Sequence, residues 1–311
     1  MNMQKHLLDN ESRGPSRRQF AATIAGALAA GSAPLFAGGK KASRAADPAT
    51  EIVTLGRTGI KTSRLAQGTG FNGGARSSAQ TRLGEQAFTR LVRHSLDRGI
   101  RLMDAADLYG SHRYLRTALK GVPRDNYDLL SKIWPRTEFW NMASGGAKQE
   151  VDRFRKELNT DVIDICLIHC MLNANWAREY ERIRDEMAEL KQQGVLRAVG
   201  VSCHDFGALK VASEHPWTDV VLARINNVGQ SAYMDATVEE VTAVLKQARA
   251  NGKVVIGMKL FGAGRITEPA QRDASLKYVF ENQLVDAMTI GMMSPAQVDN
   301  SIERIDATFT A

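Results

Sequence analysis

Residues 99–110 read Gly-Ile-Arg-Leu-Met-Asp-Ala-Ala-Asp-Leu-Tyr-Gly. A short apolar run, Arg101 to Ala105, closes on Asp104 and is followed five positions after that aspartate by Tyr109. The run is short enough for a strand and is preceded by an amphipathic stretch, Glu85 to Arg98, long enough for a helix. The question that fixes the fold is whether this strand-then-helix unit repeats on either side.

It does. Upstream, Glu51 to Lys61 reads as a leading hairpin, with turn signals at Gly56 and Gly59, and Arg64 to Gly68 reads as the first strand of the repeat. Downstream of the second strand, strands are expected at Tyr127 to Ser131, Val162 to Ile168, Ala198 to Ser202, Val220 to Ile225, Val254 to Lys259 and Ala287 to Ile290. Between them lie helical patterns at His112 to Leu119, Ala147 to Leu158, around Ile183, Met187 and Leu190, Phe206 to Glu214, around Val238, Val241 and Leu245, Gln271 to Phe280, and Pro295 to Ile305. Val162 to Ile168 is almost wholly apolar, as a strand covered on both faces must be. Eight strand–helix repeats predict an α/β protein with a (β/α)8 TIM barrel as a single domain over residues 51–311.

The first 46 residues differ in composition. They hold seven Lys and Arg against Asp9 and Glu11, which is +5 of the chain's formal +7, so the remaining surface is near charge balance and a nucleic-acid partner loses its main support. Ser16-Arg17-Arg18-Gln19-Phe20 precedes a charge-free run from Ala21 to Gly39. The segment resembles a twin-arginine signal, which implies the twin-arginine export machinery as a partner, a periplasmic destination and cleavage after Ala37 or Ala45. The run is weakly hydrophobic and broken by Pro34, so stable membrane insertion is not expected. The three cysteines, Cys166, Cys170 and Cys203, have no framework spacing for disulfides.

In a barrel of this kind the active site lies at the C-terminal ends of the strands. Asp104 and Tyr109 follow strand two, Lys132 follows strand three and His169 follows strand four. Their chemistry fits delivery of a proton to a carbonyl oxygen as a hydride reaches the carbon. A tyrosine with a pKa near 10 is a slow acid, and an adjacent ammonium, Lys132, is expected to lower that value while Asp104 keeps the lysine ionised. His169 is expected to hold the substrate oxygen or share the proton relay. No metal is required, and Cys170, Cys203 and His204 lack zinc-ligand spacing. Trp134 and Trp140 are candidates for lining a substrate pocket.

These strand ends resemble the aldo-keto reductase superfamily, whose catalytic tetrad is an Asp, a Tyr five positions later, a Lys ending the third strand and a His ending the fourth. Leu55 to Gly59, Gly68 to Gly70, Gly194 to Ser202, Gly262 to Gly264 and Gly291 to Asn300 extend the likeness over nearly all of the chain after residue 50. The resemblance implies NADPH or NADH as hydride donor, a small-molecule carbonyl substrate, and Tyr109 as general acid.

For the cofactor, the resemblance assigns Ser202 to the nicotinamide amide, with Cys203 where an Asn is usual and Ala223 or Arg224 where a Gln is usual. Met258 takes the place of a stacking tyrosine. Phe261, Gly262, Gly264 and Arg265 follow strand seven, where a phosphate-facing turn is expected, and Asn300 is in place to reach the adenine. Met292, Met293, Ser294 and Gln297 replace the basic residues that usually grip a 2′-phosphate, which leaves NADPH and NADH both open. A Schiff-base lyase using Lys132 or Lys259 and a non-catalytic cofactor-binding barrel are the competing readings.

Overall fold

A computed structural model describes residues 47–136 and 145–310. Residues 1–46, read as an export signal from the sequence, and Trp140 lie outside the described residues.

Ten strands are present among the described residues: β1 (Ile52–Leu55), β2 (Ile60–Ser63), β3 (Leu65–Gly68), β4 (Leu102–Asp104), β5 (Asp128–Ile133), β6 (Ile163–Met171), β7 (Leu196–Cys203), β8 (Val220–Arg224), β9 (Val254–Met258) and β10 (Ala287–Ile290). β1 and β2 form an antiparallel hairpin, and β3 to β10 close into a parallel barrel in sequence order, with β10 against β3. The helices are α1 (Glu85–Asp97), α2 (His112–Leu119), α3 (Ala147–Leu158), α4 (Trp176–Glu179), α5 (Glu181–Gln192), α6 (Phe206–Glu214), α7 (Val238–Ala250), α8 (Pro269–Glu281) and α9 (Pro295–Thr310). The expected (β/α)8 architecture is therefore observed, with α4 as an added short turn and α9 running five residues further than the sequence pattern suggests.

Alternation along each strand divides the apolar residues into two cores. Leu102, Leu130, Ile165, Leu167, Val220 and Leu222 belong to the barrel interior. Met103, Leu129, Cys166, Val199, Val221 and their neighbours belong to the layer between sheet and helices. The interior core also includes Leu55 and Ile60 of the hairpin, both fully buried, so the hairpin stoppers the end of the barrel opposite the strand C-termini. The contact is close: a Cβ at Gly56 would sit 3.1 Å from Cγ2 of Val254, the first residue of β9.

β6 departs from regular pairing. Ile168 aligns with Val201, yet Met171 aligns with Cys203, so one residue is extra on β6, and Cys170 within it has φ of 67°. This is the behaviour of a β-bulge, which bends a strand and re-aims its side chains. It falls directly after His169.

Candidate active site

Strand alternation carried upward from the interior core determines which side chains enter the mouth. Leu102 places Asp104 inward, Leu130 places Lys132 inward, and Leu167 places His169 inward. Tyr109 arrives differently, on the one-turn helix Asp107–Tyr109 that follows β4. Its ring lies against Gly70, where a Cβ would come within 2.3 Å of Tyr109 Cε2 and Cζ. Only glycine leaves room for the ring there.

The four residues meet. Lys132 Nζ donates to Asp104 Oδ1 and, at 2.8 Å, to the Ala105 carbonyl. It also lies 4.8 Å from the Tyr109 ring centroid, within cation–π range. Tyr109 Oη is 3.3 Å from His169 Nε2. Asp104 Oδ2 accepts from Thr289 Oγ1 at 2.8 Å, and the Asp104 carbonyl accepts from the hydroxyl and the amide of Thr69 at 2.8 and 3.0 Å. Thr289 escaped the sequence reading. Its signal was the inward parity of β10, since it lies two positions after the interior Ala287.

The electrostatics correct one expectation. The Tyr109 phenol is held well above its ordinary value, first by burial and then by the Asp104 carboxylate. The Lys132 ammonium, engaged by Asp104, does not outweigh them. Burial pulls Lys132 itself below the usual lysine range, against the pull of Asp104. Burial, with the charges of Lys132, Arg136 and Lys259, keeps His169 well below the usual histidine range. At neutral pH the site therefore contains a neutral tyrosine, a neutral histidine and a lysine–aspartate ion pair. His169 Nδ1 is buried with no hydrogen-bond partner among the described residues, so no protein group on that side fixes its tautomer. Nε2 is free either to accept from Tyr109 or to donate to a bound oxygen.

A cleft of about 300 Å³ runs outward from Asp104 and Tyr109. Of the residues assigned to the cofactor from sequence, Met258, Phe261, Gly264, Gln297 and Asn300 line it. Ser202 points inward beneath it, its hydroxyl accepting from the Cys170 amide at 2.7 Å. Three further assigned residues do not line the cleft. Cys203 has the opposite parity to Ser202 and is fully buried between sheet and helices. Gly262 faces Ala232 and Ile266 rather than the cleft. Arg265 is turned aside, its guanidinium 3.9 Å from the Tyr233 ring centroid and bonded to the Ser231 carbonyl at 2.8 Å.

The structure also resolves which residue takes the place of the usual strand-six glutamine. Arg224 has the inward parity of Val220 and Leu222, whereas Ala223 packs outward. Arg224 pairs with Asp235 at 3.0 Å and contacts His204 Nδ1. At the outer end of the cleft the cation is Arg272 of α8, which sequence motifs gave no reason to choose. Trp134 is buried and meets His169 edge-on at 5.4 Å, so it shapes the wall behind the imidazole. His112 is buried beneath the site, bonded to Ser131 Oγ at 2.7 Å and Glu157 at 2.9 Å.

The family model described as the Aldo/keto reductase family matches residues 64–279. Aldo-keto reductase YhdN of Bacillus subtilis is 31% identical over 163 residues, covering 49% of this chain and 46% of that protein. Methylglyoxal reductase YeaE of Escherichia coli is 28% identical over 151 residues, 47% of each. The chain thus spans about half the length of these two curated relatives. Among solved structures, an aldo-keto reductase from Pseudomonas aeruginosa superposes with a TM-score of 0.67 at 22% identity, covering 82% of this chain and 94% of that one, a likeness of fold.

Proposed function

The chain belongs to the aldo/keto reductase family, and on that premise we propose that it is an NAD(P)H-dependent oxidoreductase that reduces a small aldehyde, ketone or sugar carbonyl to the alcohol. The observation that carries the reading is the convergence of Asp104, Tyr109, Lys132 and His169, the first two lining an open cleft. The cleft fits a dinucleotide: in its wall Gly264, where a Cβ would meet nothing within 4 Å, leaves the backbone open to a long flat ligand. Met258, Phe261, Gly264, Arg272, Gln297 and Asn300 are the residues placed to hold it.

When bound, NADPH or NADH supplies the hydride that reaches the carbonyl carbon. The protein's part is the proton. Tyr109 Oη donates it to the carbonyl oxygen as the C–O bond becomes single, and solvent returns a proton to the phenolate. Lys132, 4.8 Å from the ring centroid, stabilises the negative charge that develops on Tyr109. Asp104, held by Thr289, fixes the ammonium in place. His169 Nε2 lies next to Tyr109 Oη and positions the substrate oxygen within reach of that donor. Engagement of Lys132 by Asp104 and the Ala105 carbonyl does not favour a Schiff base at this lysine.

Titration of NADPH and NADH into the full chain, followed by absorbance at the reduced-nicotinamide band with methylglyoxal and a panel of aromatic aldehydes, tests this. Binding of one cofactor and its carbonyl-dependent oxidation are expected. Failure to bind either would overturn the assignment.

Residues 1–46 are proposed to route the folded protein through the twin-arginine machinery to the periplasm. The support is the Arg17-Arg18 pair before the charge-free run Ala21 to Gly39. Among the described residues no helix is long and apolar enough to cross a membrane.

A further inference from the structure

Among the described residues Lys132, Arg136, Arg224 and Lys259 bring cations to the barrel mouth, and the first three are answered by the protein. Lys132 is held by Asp104, Arg224 by Asp235, and Arg136 donates to the Cys170 carbonyl at 2.8 Å. Lys259 is not. Its ammonium has no hydrogen bond or ion pair among the described residues, and the aromatic ring it faces, that of Tyr233, is 6.0 Å away. Yet Lys259 lines the same cleft as Asp104 and Tyr109.

The backbone explains how it comes to be there. Met258 ends β9 facing inward, so alternation alone would turn the next side chain outward. Lys259 instead has φ of 61°, in the left-handed region that long L side chains rarely adopt. Its carbonyl is fixed by the Gly262 amide at 2.8 Å and by Asn226 Nδ2 at 3.2 Å. Two consecutive residues, Met258 and Lys259, therefore line one cleft. Burial and the neighbouring Arg224 hold the Lys259 ammonium down at about 8, and its charge in turn acts on His169. A desolvated cation in strained backbone, with no protein anion to meet it, is a costly arrangement that a bound anion would relieve.

We propose that Lys259 is an anion receptor inside the mouth, which selects carbonyl substrates carrying a carboxylate or phosphate close to the carbonyl to be reduced. The proposal rests on the reductase reading above. An anionic oxygen could also come from the diphosphate of the dinucleotide. Lys259 lines the cleft with Asp104 and Tyr109 and its charge acts on His169, which favours the substrate.

Phenylglyoxylate and its methyl ester share the ketone and its ring and differ at the acid group, a carboxylate in one and a neutral methyl ester in the other, and serve as the probe pair. Steady-state reduction of both is compared for the full chain, Lys259→Met and Lys259→Arg, with calorimetric titration of phenylglyoxylate into the cofactor-loaded protein and of the cofactor alone. Lys259→Met is expected to lower kcat/KM for the acid about 10- to 100-fold more than for the ester, through KM, as loss of one charge-assisted contact implies. Lys259→Arg should recover part of that loss, and cofactor affinity should not change. Equal losses on acid and ester would overturn the proposal, as would a loss explained by weaker cofactor binding, which would assign Lys259 to the diphosphate. Binding of phenylglyoxylate that depends on Lys259 without turnover of either compound would support the receptor and sink the reductase reading. Turnover with no preference between acid and ester, indifferent to Lys259, would do the reverse.

Discussion

At the scale of single residues, the candidate site is a set of charges and protons in fixed states. With Tyr109 held above its ordinary range and His169 held below its own, neither group changes protonation near neutrality. The kcat for reduction of an uncharged aldehyde should therefore show no limb from Tyr109 or His169 between about pH 6 and about pH 9, and so no bell shape from that acid–base pair in the window. A pH–rate profile at saturating cofactor checks this, and a limb with an apparent pKa near that of free histidine would contradict it. Asp104, Tyr109, Lys132 and His169 were legible in the sequence because each lies at or just past a strand end that alternation could be traced to. Cys203 was misplaced because likeness of neighbouring letters was allowed to outweigh that same alternation. Lys259 could be found only as a lysine at a strand end, since nothing in the letters signals a left-handed backbone at a lysine.

At the scale of elements, two supports lie outside the mouth. The β1–β2 hairpin contributes Leu55 and Ile60 to the interior core, and truncating one of them opens a cavity that the closed barrel cannot collapse to fill. Leu55→Ala should lower unfolding stability by about 3 kcal/mol in urea denaturation. The second support ties α2 to α3 through His112 and Glu157. Burial alone would raise the Glu157 carboxyl, but hydrogen bonds and charge from His112 and Arg153 hold it at about 2. A carboxyl whose folded value lies below its ordinary 4.5 stabilises the fold above that value and loses the contribution as pH falls through about 2. Unfolding midpoints between pH 5 and pH 2 should thus decline less steeply in Glu157→Gln than in the parent chain, and parallel declines would contradict the assignment. The expected hairpin was readable from Gly56 and Gly59, but its role as a stopper was not, because turn chemistry says nothing about which cavity a hairpin fills. The bulge at Cys170 was equally hidden, since nothing in the letters around His169 and Cys170 marks an extra residue.

At the scale of the whole molecule, the repeat of strand and helix was the strongest signal, and it gave the closed eight-stranded barrel because each period of apolar residues was long enough to name its element. The outer cleft was less legible, since Arg272 of α8 comes to line it with Gln297 and Asn300 of α9 through the packing of these two helices. The proposed export segment belongs to this scale too. Replacing Arg17 and Arg18 together by lysine should leave the protein in the cytoplasm, as cell fractionation would show; an unchanged distribution would remove the twin-arginine reading.

The central claim is that Tyr109 delivers the proton while the rest of the cleft holds the cofactor. Its most direct test is a single-turnover measurement of reduced-cofactor oxidation by an aldehyde, for the parent chain and for Tyr109→Phe, with cofactor affinity measured on both. Loss of at least about 100-fold in the rate of hydride transfer with cofactor affinity retained is the expected result, and a Tyr109→Phe variant that reduces the aldehyde as fast as the parent would contradict the account.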